Sequence, residues 1–189
     1  MSAESGARLA VIEWLCQPKG ELVHQKRSTN GWISEVRAGG GGEADASKIR
    51  FVKSLRSGST ELHAVEFVTT KGDRGSYVVG VGVESDRAWR VTGAAGGGGS
   101  DPPRDHPWVN LGGWGWPDHG FRAGGRVVGT GNEAAEQVRL TFKNRVQLED
   151  EVTAERVLFS TDESVELPAR VEVLDGTGRV VGSHLWPGK

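Results

Sequence analysis

VRLTFKNRVQLEDEV, residues 138–152, is the stretch that decides the fold. Val138, Leu140 and Phe142 alternate with Arg139 and Thr141, Lys143-Asn144-Arg145 breaks the run, and VQLEDEV at 146–152 alternates again. A period of two puts successive side chains on opposite faces of a strand, so the segment predicts two half-buried antiparallel strands joined by a tight turn. Toward the C-terminus RVLFST (156–161), ARVEVLD (169–175) and RVVGSHLW (179–186) repeat the pattern, and Asp175-Gly-Thr-Gly178 supplies a hairpin turn. Short strands at this spacing indicate a β-sandwich. Five or six strands are few for a free-standing sandwich, so it is expected to lean on the first half or to borrow a strand from residues 108–114.

Working back to the N-terminus, residues 5–17 place Leu9, Val11, Ile12, Trp14, Leu15 and Cys16 at helical spacing, as in a helix buried on more than one side. Pro18 ends it, because the residue before proline is pushed out of the helical region. GWISEVRAG (31–39) reads as a strand, and from residue 48 the period is two throughout. Ile49 and Phe51 alternate with Lys48, Arg50 and Lys53, KGDRG (71–75) is a hairpin turn, and AWRVTG closes the series. In YVVGVGVE the residues Val79, Val81 and Val83 share one face and Gly80 and Gly82 the other; the bare face should let an aromatic ring or the N-terminal helix lie close.

Residues 93–107, GAAGGGGSDPPRDHP, have no periodicity and read as a native linker. The expected organisation is therefore residues 1–95 as helix plus antiparallel meander, 96–120 as a Gly/Pro/Trp-rich connector, and 121–189 as the sandwich. The class is α+β and mostly antiparallel β: an N-terminal helix packed on a curved antiparallel sheet, then a small immunoglobulin-like sandwich. Two resemblances accompany this reading. The leading helix and curved sheet ending in AWRVTG resemble the cone-shaped nuclear-transport-factor-like or cystatin-like fold. VRLTFKNRVQLEDEV…VLFSTDESVELPARVEVLDGTGRVVGSHLWPG resembles the immunoglobulin-like half of uncharacterised two-part proteins of actinobacteria. Cone folds of this kind include enzymes and adaptors alike, so the resemblance implies no single activity.

Composition narrows the function. A net charge of −2 removes the electrostatic footprint of a nucleic-acid binder, and the basic run KIRFVKSLR (48–56) reads as a solvated strand face. A single cysteine, Cys16, gives no internal disulfide and suits a reducing compartment, where it is a core thiol rather than a nucleophile. With no apolar run long enough to span a bilayer and no secretory pattern at the N-terminus, the expected location is the cytoplasm, unless a leader has been removed.

DHPWVNLGGWGWPDHG (105–120) holds the candidate binding residues: Trp108, Trp114 and Trp116, with Asp105, His106, Asp118 and His119 flanking them. The Asp-His pairs are metal-ligand and acid–base types, but they match no zinc or iron spacing and are expected to cap turns beside Pro107 and Pro117. Tryptophans bury large areas in cores and interfaces, so these are expected either to form a contact surface or to clasp the two halves together. Glu149-Asp150-Glu151 and Asp162-Glu163 lack a calcium-loop spacing and read as strand and turn charges. For an enzyme the first-half candidates are His24, His63 and Asp73, inside the sheet. No serine elbow, phosphate loop or HExxH occurs. The leading expectation is a non-catalytic interaction protein with no cofactor and no metal, a protein partner and an open oligomeric state. The alternative is a small-molecule-binding or hydrolytic enzyme with a pocket in the N-terminal sheet.

Overall fold

The computed structural model describes residues 3–18, 22–27, 33–37, 41–83, 88–96, 106–114, 120–129, 134–167 and 169–186. Helix α1 (Ala3–Cys16) is followed by strands β1 (Leu22–Arg27), β2 (Ile33–Arg37), β3 (Arg50–Ser57), β4 (Thr60–Val68), β5 (Arg74–Val83) and β6 (Trp89–Gly96). The second half adds β7 (Trp108–Trp114), β8 (Phe121–Val128), β9 (Gln137–Thr141), β10 (Gln147–Glu151), β11 (Arg156–Thr161), β12 (Ala169–Leu174) and β13 (Val180–Trp186). Every ladder is antiparallel. The protein is mostly antiparallel β with one short helix. β1 and β2 form a hairpin; the other strands form sheets in the orders β3-β4-β5-β6, β11-β8-β7 and β10-β9-β12-β13.

These three sheets stack as layers. Helix α1 lies on the first, and Ala7, Val11 and Leu15, a four-residue repeat down one stripe, are fully buried against Val65, Phe67, Val79 and Val81. Burial on more than one side was expected, but Leu9 on the far side is 43% exposed: the helix covers a single sheet and needs only one apolar stripe. Its last carbonyls are taken up by the returning chain, where the Gly41 amide donates to Trp14 O at 2.7 Å and the Ala44 amide to Leu15 O at 2.9 Å. A helix end so paired is held in place.

The opposite face of the first sheet, carrying Leu55, Leu62, Ala64 and Val78, packs on Leu158 of the central sheet. The central sheet's other face enters the largest core, with Val109, Leu111, Phe121, Ala123, Val157 and Phe159 meeting Val138, Leu140, Val171, Val173 and Trp186. The central strands are thus covered on both sides, which is why β11 buries three consecutive residues, Val157, Leu158 and Phe159.

Two expectations change here. The glycine face of β5 was expected to receive the helix or an aromatic ring, yet the helix sits on the valine face, where it finds more apolar area, and the central sheet takes the other. Residues 108–114, placed in the connector and weighed as a strand to be borrowed, are strand β7, paired residue for residue with β8. β8 itself, FRAGGRVV, has no alternation to read because it is packed on both faces. Its Gly124 has a packing reason: a Cβ there would lie 2.7 Å from both Val78 Cγ2 and Leu158 Cδ2, so any side chain would force two layers apart.

Candidate functional site

The layering lines up the sheet edges. β6 packs beside β7 and β7 beside β13 along one flank; β3 packs beside β11 and β11 beside β10 along the other. The two flanks differ in chemistry. On the first, β6, β7 and β13 carry Arg90 as their one charged side chain, together with Trp89, Trp108, Trp114 and Trp186. On the second stand Arg50, Lys53 and Arg56 of β3, Glu149, Asp150 and Glu151 of β10, and Arg156 of β11.

The charged flank is closed by ion pairs that cross layers. Lys53 Nζ of the first sheet lies 2.6 Å from Asp150 Oδ2 of the third, and that same oxygen accepts from the Leu158 amide of the central sheet at 2.6 Å. Both side chains are more than four-fifths buried, so the pair is partly desolvated. Beside it Glu66 takes Arg50 at 2.7 Å and Arg156 at 3.0 Å. Hydrogen bonds from Arg50, then Arg156, hold the Glu66 carboxyl below its ordinary range. Of the carboxylates weighed for calcium, Glu149 pairs with Arg139 and Asp162 with Arg122.

The aromatic flank is bound by rings. Trp108, at the start of β7, stacks on His184 of β13 with ring centroids 4.1 Å apart. Trp186, two residues on and therefore on the same face of β13, donates from Nε1 to Leu111 O at 3.1 Å and meets Phe121 edge-on. Gly112 approaches β6 so closely that a Cβ would lie 2.8 Å from Ala95 Cβ. β7 is therefore wedged between the two halves. The residue that pins it to the third sheet is Trp186, which the sequence had marked only as the end of a strand. On β13, Val180 and Leu185 remain 45% and 59% exposed.

Of the candidate binding residues, His106 packs beside Pro107, its Nδ1 3.1 Å from Pro107 O, and Trp108 makes the stack just described. Trp114 ends β7, and its side chain lies outside the described residues, as do Asp105, Trp116, Asp118 and His119. Among the described residues no three metal-ligand side chains gather. No helix among them is long and apolar enough to cross a membrane.

The first-half candidates separate. His24 is in β1, with its side chain outside the described residues. Asp73 belongs to the β4–β5 turn, where its carbonyl accepts from the Thr69 amide. His63 pairs with Val79, five residues along β5 from Arg74, so the two sites lie roughly 17 Å apart along the strand. Cys16 is a half-buried free thiol at the end of α1.

His63 alone anchors a polar cluster. It is fully buried on the helix-facing side of β4. Its Nδ1 lies 2.8 Å from Oγ of Ser54, its register partner on β3, and its Nε2 lies 3.5 Å from Oε2 of Glu61. Phe51 meets the imidazole edge-on at 5.4 Å, and Arg8 of α1 stands over the Phe51 ring at 5.2 Å. Burial, and then the positive charge of Arg8, bring the His63 pKa down to about 4, so the ring is neutral at neutral pH. Glu61, also buried, lies 3.9 Å from the exposed Arg56 at Nε. Sequence reading had missed Ser54 and Glu61. The available signal was Glu-x-His at 61 and 63, two polar residues on the strand face that continues as Val65 and Phe67.

The protein so defined is a layered antiparallel β protein with one charged and one aromatic flank. No protein-family model, curated protein or solved structure matches the chain.

Proposed function

We propose that this chain is an interaction protein whose contact surface is the aromatic flank formed by β6, β7 and β13. The observation that carries this reading is the partition of charge between the two flanks. Natural sheets guard their edges with charged residues, prolines or covering segments, because an unguarded edge invites association. Here the β3, β11 and β10 flank is guarded by Lys53, Asp150, Arg156 and Glu66. On the other flank β13, VVGSHLW, is uncharged and presents Val180 and Leu185 to solvent. Exposed apolar side chains on an uncharged edge strand are the material of protein contact surfaces. His106 and Trp108, just before and at the start of β7, belong to this surface in this reading.

The kinship reading follows from the same strands. Lettered A to G, β7 to β13 form one sheet in the order E-B-A and another in the order D-C-F-G. This supports an immunoglobulin-like sandwich in which the fourth strand pairs with the third instead of the fifth. Domains of this architecture commonly serve recognition, which agrees with the proposal by analogy of fold.

The test is a charge placed on each flank. A partner isolated on the wild-type protein and then purified should bind Leu185→Asp at least about tenfold more weakly, a loss of about 1.4 kcal/mol. It should bind Gln147→Asp, on β10, as it binds the wild type. Equal affinity for all three proteins places the contact elsewhere and ends the proposal.

A further inference from the structure

The cluster around His63 has no part in the contact surface, and packing does not account for it. A strand face that otherwise presents Val65 and Phe67 to the helix gives up two positions to Glu61 and His63, both buried. Among the described residues the His63 Nε2 has no hydrogen-bond partner of good geometry. Burying polar groups incompletely paired costs stability, and such exceptions concentrate at functional sites. The third member, Ser54, is exposed on β3, an edge strand of its sheet. An exposed serine is thus hydrogen-bonded through its hydroxyl to a buried imidazole, with a carboxylate on the imidazole's far side.

We propose that Ser54 is a nucleophile, assisted by His63 as general base and oriented by Glu61, that takes up the acyl group of small activated esters. The ring proton is favoured on Nε2, which faces the Glu61 carboxylate; Nδ1 then carries the lone pair and accepts from the Ser54 hydroxyl. The Ser54 oxygen attacks the ester carbonyl carbon and its proton passes to Nδ1. Collapse of the tetrahedral adduct breaks the bond to the leaving alkoxide, which recovers that proton as an alcohol. Water repeats the exchange on the acylated Ser54, His63 taking its proton and returning it to Oγ, so ester and water become acid and alcohol.

The groups that face the imidazole are Phe51 and Ser54 of β3 and Glu61 of its own strand, with Arg8 of α1 close by. Burial and Arg8 make His63 a weak base that is unprotonated well into the acid range. A weak base favours leaving groups that need little help, hence aryl rather than alkyl esters.

The probes are diisopropyl fluorophosphate, read by intact mass and peptide mapping, and p-nitrophenyl acetate, read by nitrophenol release on the full chain. The expected result is one adduct on the peptide holding Ser54, absent in Ser54→Ala. Release should be at least about a hundredfold slower in Ser54→Ala and in His63→Asn, the low end for a general base. Because Ser54 is exposed, its alanine variant should fold as the wild type does, and circular dichroism of each variant checks this. The wild-type rate should stay level from pH 8 down to about 5, whereas an ordinary imidazole would lose activity near 6.5. An adduct elsewhere, a rate unchanged in Ser54→Ala, or a profile falling near 6.5 overturns the proposal.

Discussion

Stability should fall steeply and specifically between pH 7.5 and 5 because of His63. In the fold its pKa is brought down to about 4 by burial and by Arg8, against 6.5 in the unfolded chain. A lowered histidine pKa means that the unfolded chain binds the proton first as pH drops. Stability contributed by the neutral ring is therefore whole above 6.5, shrinks as pH falls through 6.5, and is gone below 4. The full span is about 3.4 kcal/mol at about 1.36 kcal/mol per pH unit, and integrating the two titrations gives about 2 kcal/mol lost between pH 7.5 and 5. For a chain of this length that is roughly 4–8 °C in Tm. Glu66 and Asp45, whose carboxyls are held low, add their losses only as pH falls below the ordinary carboxylate range, outside this window. Urea unfolding of the wild type and of His63→Asn at both pH values is the assay. Asparagine keeps an acceptor for the Ser54 hydroxyl and does not titrate, so the variant should lose about 2 kcal/mol less than the wild type over the interval. Equal losses in the two proteins would refute the reasoning.

Three further outcomes follow from the packing. Gly124→Ala should destabilise by roughly 1–3 kcal/mol in chemical unfolding, since its methyl meets Val78 and Leu158 at 2.7 Å in a filled interlayer. Lys53→Met should cost roughly 3 kcal/mol by leaving the Asp150 charge partly buried, and adding Asp150→Asn should recover at least half, because the amide oxygen still accepts from the Leu158 amide. Trp186→Phe should lose about 1–2 kcal/mol through the unpaired Leu111 carbonyl, with β7 amides exchanging faster by hydrogen-exchange NMR.

The strands that sequence reading located most plainly, in the second half, are those with one wet face. β9, β10, β12 and β13 alternate because their outer side meets water, and the turns between them carry their own chemistry. Arg145 takes a positive φ of 67° in the Lys-Asn-Arg turn, and Gly178 one of 80° after Asp175. Asp175 accepts from the Thr177 hydroxyl and the Thr177 and Arg179 amides, and its carboxyl is held down to about 2. β8 escaped notice because it is packed on both faces, while residues 108–114, strand β7, read both as part of the connector and as a strand the sandwich borrows. The same holds for the candidate site. His63 was picked out as a titratable residue in a sheet, but its partner Ser54 is nine positions away and is brought to it by the β3–β4 register alone.

The sequence by itself determined the local terms: where period two holds, where proline and glycine stop an element, how little net charge there is, and that one helix precedes a long series of antiparallel strands. Only the tertiary structure decided which layer covers which. That choice depends on matching whole faces, Val65, Phe67, Val79 and Val81 to the helix and Leu55, Leu62, Ala64 and Val78 to the central sheet. It also decided how charge is divided between the flanks, since Lys53 and Asp150 are 97 residues apart in the chain and meet only when the third sheet folds back over the edge of the first.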